Sequence, residues 1–170
     1  SLRVDIVTGV AESRHGVQGM AEKYSDSTLA DRVFELAWTR GPIMLQQLNA
    51  SESDAQAYGR LAGSVIYASS LRRSRASVLI RNRRGQSGLW SYGISGDLPI
   101  VLVRIRDQEK IALVREALQA HSYWRMKGLS VDLVIWNEDD SVYRQSMQDS
   151  IMDAVATSPA AAMLDRPAGV

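Results

Sequence analysis

The last third of the chain constrains the fold more than any other part. Pro99 to Ile105 reads PIVLVRI, a short buried strand. Asp107 stands where it can cap a long helix, Gln108 to Lys127. Ile111, Val114, Ala117, Leu118 and His121 share one face of it, with Trp124 at its end. Gly128 occupies the position of a C-terminal cap. Val131 to Trp136 then reads VDLVIW, a second strand. Strand, helix and strand with a tight return make a βαβ unit, so the two strands should be parallel with a right-handed crossover. Asp139, Asp140 or Ser141 caps a further helix, Val142 to Ala156. Thr157 to Val170 is rich in Ala and Pro and lacks periodicity, which reads as linker.

The first half is helical by pattern. Glu12 to Tyr24 is a modest helix, weakened by Gly16 and Gly19. A stronger one begins near Thr28, read as its cap with Asp31 nearby. Leu29, Val33, Leu36 and Ala37 form its apolar stripe, with Phe34 and Trp38 beside it. Gly41-Pro42 is expected to break or kink this helix before Ile43 to Leu48. Ser51 or Ser53 signals another start. Ala55, Tyr58, Ala62, Val65 and Ile66 then recur at helical spacing, and Gly59 and Gly63 suggest close packing. Ahead of all this, Leu2 to Val7 alternates like a strand but has no nearby partner. Its sheet is completed later in the chain or belongs to an upstream domain. The expected fold class is mixed, helix-rich α/β: a helical half, then a β-α-β-α unit with a short parallel sheet.

Bulk composition narrows the function. The 170 residues suit one domain, with or without a tail. There is no cysteine, hence no disulfide, thiolate metal site or cysteine nucleophile. A net charge of +1 gives no general pull toward nucleic acid or membrane. No apolar run approaches the roughly 20 residues of a membrane span. No signal peptide is visible. The chain opens on Ser1 rather than Met, as an excised or processed piece would. No internal repeat stands out.

Few motifs carry chemistry. Gly93-Ile94-Ser95-Gly96-Asp97 brushes against the G-x-S-x-G elbow, but Asp97 replaces its last glycine and the serine precedes a strand instead of following one. Asn137-Glu138-Asp139-Asp140 sits at the carboxyl end of a parallel strand, where ligands often bind. Acidic residues there equally serve a helix start, and that reading is preferred. His15 and His121 lack ligand spacing. No P-loop is present, so no cofactor is expected. Arg72, Arg73, Arg75, Arg81, Arg83 and Arg84 crowd the stretch before a glycine-rich loop, Gly85 to Leu98. Arginines fork onto phosphate or carboxylate, but a nearly neutral chain favours a solvated or domain-facing surface over nucleic acid. Trp90 and Tyr92 lie in that loop. An aromatic face can stack on a sugar ring while neighbouring Arg and Asp bind hydroxyls, and Trp90 suits this better than Trp124 or Trp136. Burial is the competing role for such rings.

Four runs resemble one region of the cyclic β-1,2-glucan synthases: DRVFELAW (Asp31 to Trp38), QLNASESDAQAYGRLAGSVIYA (Gln47 to Ala68), LIRNRRGQSGLWSYGISGDLPIVLVRI (Leu79 to Ile105) and LVREALQAHSYWRMKGLSVDLVIWNED (Leu113 to Asp139). The resemblance spans about three quarters of the chain. It implies a large bacterial inner-membrane protein, with a transferase part using UDP-glucose, a cyclising part and a part similar to cellobiose and chitobiose phosphorylases. The resemblance makes this segment a connecting region on the cytoplasmic side, without a membrane span of its own. Residues 1–9 would then be a strand of a preceding β-sandwich, 10–156 a helical plus α/β linker module, and 157–170 a linker or disordered tail.

No catalytic residue of such a protein has a matching position here, so catalytic, cofactor and metal residues are expected to be none. The segment is expected to be inactive alone. Its expected partners are other domains of the same polypeptide and β-1,2-glucan, with no nucleic acid. In phosphorylases of this kind an arginine segment, a glycine-rich turn and an Asp hold sugar next to the scissile bond. Arg81, the glycines of 85 to 96 and Asp97 follow a similar order. Arg81, Arg84, Trp90, Tyr92 and Asp97 are therefore the carbohydrate-binding candidates. A small α/β enzyme working near Arg106 and Glu138 is the last reading.

Overall fold

A computed structural model describes Ile6, residues 8–141 and residues 144–170. The expected strand Leu2 to Val7 lies outside the described residues except for Ile6, which is exposed and outside any strand. The chain divides into two units, Ser1–Met44 and Leu45–Val170.

In the first unit, helix α1 spans Arg14–Tyr24. Its extended N-cap Ser13 accepts a hydrogen bond from the Gly16 amide at 3.1 Å. Helix α2, Ser27–Gln47, starts in this unit and ends in the second. Its start departs from expectation. Asp26, not Thr28, is the capping side chain, accepting from the Thr28 amide at 2.9 Å and from the Thr28 hydroxyl. A carboxylate two residues ahead of a free amide satisfies it without a serine or threonine. Pro42 does not break α2 either. A proline removes one helical hydrogen bond, and here the helix continues through it. Of the expected apolar stripe, Leu29 is half-buried while Val33 and Leu36 are exposed, and Phe34 and Trp38 beside it are 73% and 84% exposed.

The second unit opens with α3, Glu52–Ile66. Ser51 and Asp54 form a reciprocal capping box: the Ser51 hydroxyl accepts from the Asp54 amide at 3.2 Å, and the Asp54 carboxylate from the Ser51 amide at 2.8 Å. Replacing Ser51 by alanine should cost about 1 kcal/mol, read as a lower urea midpoint with an unchanged slope. Gly59 and Gly63 do not permit close packing as expected. A Cβ at either would meet nothing within 4 Å. Short helix α4, Ala76–Arg81, follows, with every residue exposed.

Strand β1 (Ile100–Ile105) and strand β2 (Asp132–Asn137) pair in parallel, from Ile100 opposite Asp132 to Ile105 opposite Asn137. Helix α5, Ile111–Met126, connects them, preceded by a 3-10 turn over Gln108–Lys110. Asp107 caps that turn as expected, accepting from the Glu109 amide at 3.0 Å. Helix α6, Arg144–Ala156, follows β2.

The odd-numbered strand residues Ile105 and Leu133 pack with Val114 and Leu118 of α5 and with Met147, Ile151, Ala154 and Val155 of α6. Both helices therefore cover the same face of the sheet. The even-numbered face is open: Leu102 is 48% and Trp136 57% exposed, and Ile100 is exposed too. The expectation of a buried β1 is corrected to half-burial, because no helix covers its second face among the described residues. A second cluster joins Tyr58 of α3 to Ala120 and Trp124 of α5 and to Val131. Trp124 Nε1 donates to the Tyr58 carbonyl at 2.8 Å, satisfying the one polar atom of the buried indole.

Residues 157–170 differ most from expectation. The linker reading gave them no structure, yet Ala160 is fully buried in the first cluster, and Leu164 and Val170 pack against it. The Leu133 amide donates to the Gly169 carbonyl at 2.8 Å, the Ala168 amide to Asp132 Oδ1 at 2.9 Å, and Arg125 to the Ala168 carbonyl at 2.6 Å. Alanine and glycine leave no periodic signal, but their small size lets this backbone lie against the sheet edge.

Candidate glycan-contacting loop

The loop over residues 85–97 is built from two 3-10 turns, Gln86–Gly88 and Trp90–Tyr92. Gly93 ends the second turn at φ 73°. Gly96 has φ 75°, and a Cβ there would stand 2.9 Å from Gln86 Cγ and 3.0 Å from Leu89 Cδ1. Both the backbone angle and the space therefore require glycine at Gly96.

One carbonyl organises the loop. Ser95 O accepts from Gln86 Nε2 at 2.9 Å and from Trp90 Nε1 at 3.3 Å. Gln86 Nε2 also donates to Asp97 Oδ1 at 2.7 Å. The Asp97 amide donates to Ser95 Oγ at 3.2 Å. Trp90 and Asp97 are thus brought together through Ser95 and Gln86. The indole is held by its N–H, while the side chain stays 64% exposed. Tyr92 is 73% exposed. Such exposed rings on a hydrogen-bonded loop offer flat apolar faces to a ligand.

Arg81 and Arg84 border the loop and are exposed. Among the described residues neither is tied by an ion pair or hydrogen bond to Trp90, Tyr92 or Asp97. The Arg84 side chain lies against Gly88, 3.3 Å from where a Cβ would be. Gln86 was not among the sequence candidates. A lone glutamine between two glycines gives no periodic or charge signal, and its role appears only when the loop closes on itself. Ser95 serves the loop through both its carbonyl and its hydroxyl.

The other candidates have structural partners. The His121 ring is fully buried, with Nε2 3.2 Å from the Val131 carbonyl. Burial holds its pKa below the ordinary histidine value. Arg104 pairs with Glu138 Oε1 at 2.6 and 2.7 Å. The Asn137 and Asp139 side chains accept from the Asp139 and Ser141 amides at 3.0 and 2.9 Å. The acidic run thus shapes the turn out of β2. No cluster of three metal-ligand side chains occurs among the described residues. An open cleft of about 640 Å³ between α3 and residues 69–72 is lined by Arg60, Ser64 and Arg72 and includes none of the loop candidates.

The chain is 31% identical over 144 residues to the cyclic beta-(1,2)-glucan synthase NdvB of Rhizobium meliloti (strain 1021). It matches one short region of a cyclic β-1,2-glucan synthase. The alignment covers 85% of this chain and 5% of that protein, consistent with an internal region. No protein-family profile matches the chain, and no solved structure matches it significantly. Among the described residues no helix is long and apolar enough to cross a membrane.

Proposed function

We propose that this chain is a non-catalytic module of a cyclic β-1,2-glucan synthase, positioning the carbohydrate-active parts of one polypeptide. The uncovered sheet face carries this reading. Parallel sheets are normally buried on both faces, yet Ile100, Leu102 and Trp136 face outward here. The exposed stripe of α2 supports it further. Surfaces of this kind fit other domains of the same chain as partners. The reading includes a β-sandwich ahead of residue 10, a parent protein in the inner membrane and this segment on its cytoplasmic side. The purified chain is expected to turn over neither UDP-glucose nor β-1,2-glucan; turnover of either sinks the proposal. Leu102→Lys with Trp136→Lys in the parent polypeptide should lower glucan output while leaving the isolated chain folded. Unchanged output would remove the positioning role.

A second reading rests on the loop. Trp90 and Tyr92 offer exposed rings beside Asp97, the arrangement that grips a glucan chain while other domains act. Titration with linear and cyclic β-1,2-glucans should change tryptophan fluorescence. Trp90→Ala should weaken binding by roughly fivefold, the order expected for loss of about 1 kcal/mol of aromatic stacking. An equal response from the variant would count against this loop.

A further inference from the structure

The pairing of β2 leaves one of its edges incompletely matched. The Asp132 amide donates to the Pro99 carbonyl and the Glu138 amide to the Ile105 carbonyl. In a parallel ladder this turns the amides and carbonyls of the even-numbered residues of β2 toward β1. Those of Leu133 and Ile135 face the opposite edge. There Leu133 N donates to the Gly169 carbonyl at 2.8 Å. Ile135 N has no backbone partner among the described residues.

We propose that this outer edge of β2 is a strand-docking site. Its occupant is an extended segment of the same polypeptide, running parallel to β2 in line with Gly169. The inference rests on the reading of this chain as one module of a longer synthase. Direction and register follow from three contacts. Ala168 meets Asp132 and Gly169 meets Leu133, so the two segments advance together. A parallel partner accepts a strand amide with the residue before its aligned one, which aligns Val170 with Leu133. Aligned residues share a face, and Val170 does pack on the cluster that holds Leu133 and Ile135. The next residue along would donate to the Leu133 carbonyl and accept from the Ile135 amide. A third strand entering after α6 repeats the β-α-β connection already present. It would also relieve a two-stranded sheet, which is marginal alone, and protect an open edge.

The test is amide hydrogen exchange by NMR on the full chain, with and without a short extension of alternating valine and threonine after Val170. The extension should slow exchange at Ile135 at least tenfold and leave Val114 unchanged. The same extension with proline in its first position should lose most of that protection, because proline cannot donate to Leu133. Equal exchange at Ile135 in all three chains would overturn the proposal. So would slowing in the unextended chain that grows with protein concentration, which would make a second copy the occupant. Turnover of UDP-glucose would refute the module reading but would leave Ile135 protection as measured.

Discussion

Gly169→Ala is expected to unfasten the C-terminal turn and lower stability by about 3 kcal/mol, the scale of a severe backbone clash combined with lost core contacts. A Cβ at this position would stand 2.0 Å from the Met163 carbonyl oxygen and 2.5 Å from that of Arg166. Neither is the end of a flexible side chain, so the turn itself must open. Opening takes with it the bonds from Leu133 to Gly169, from Ala168 to Asp132 and from Arg125 to Ala168. It also uncovers the core beneath Leu164 and Val170. Urea unfolding should show a lower midpoint, and the Leu133 amide should exchange faster than in the native chain. Gly59→Ala is the control. Its Cβ meets nothing, so removing a helical glycine should raise stability by roughly 0.5–1 kcal/mol. Native stability for Gly169→Ala would show that the turn contributes little.

Stability is expected to fall as the solution is acidified from pH 7.5 to 5, and His121 is the cause. Burial depresses its folded pKa below the value near 6.5 of the unfolded chain, and the Arg125 charge adds to this. Asp132 and the Val131 and Ala168 carbonyls act the other way. The net depression makes the unfolded state bind more protons as the pH drops. The folded state is therefore at full stability above about pH 6.5 and loses it progressively below, by up to about 1.4 kcal/mol per pH unit. Geometry gives the same sign. Nε2 faces the Val131 carbonyl, while Nδ1 makes no hydrogen bond of ordinary geometry. The Ala168 carbonyl already accepts from Arg125. His121→Gln should flatten the pH dependence of the urea midpoint over this range. An unchanged slope in that variant would move the effect to other groups.

The sheet and its helices were legible because their signals are local and periodic. Val114, Leu118 and His121 recur on one face of α5 and are buried there. The helix start at Ser51 is signalled within one turn of sequence, although the reciprocal bond from Asp54 is a structural finding. What sequence reading missed depends on distant partners. Residues 157–170 carry no period, and their order comes from backbone bonds to a strand more than 30 residues earlier. The stripe of α2 has helical spacing, but spacing does not say whether another surface covers it. In the loop, Gln86 emerges only from the three-dimensional closure, which no local pattern of residues 85–97 announces.

Helix α5 touches both clusters of the second unit. Val114 and Leu118 belong to the one under the sheet, Ala120 and Trp124 to the one against α3. Val101 packs on both. Because α5 contributes to both, it cannot leave without dissolving both. Residues 45–170 should therefore lose their structure in one all-or-none transition, with fluorescence of buried Trp124 and far-ultraviolet circular dichroism following the same curve. For a part whose proposed task is to hold other domains at fixed spacing, this coupling has a mechanical meaning. A pull applied at α3 is resisted by the sheet, so the unit transmits force as one body instead of yielding piece by piece.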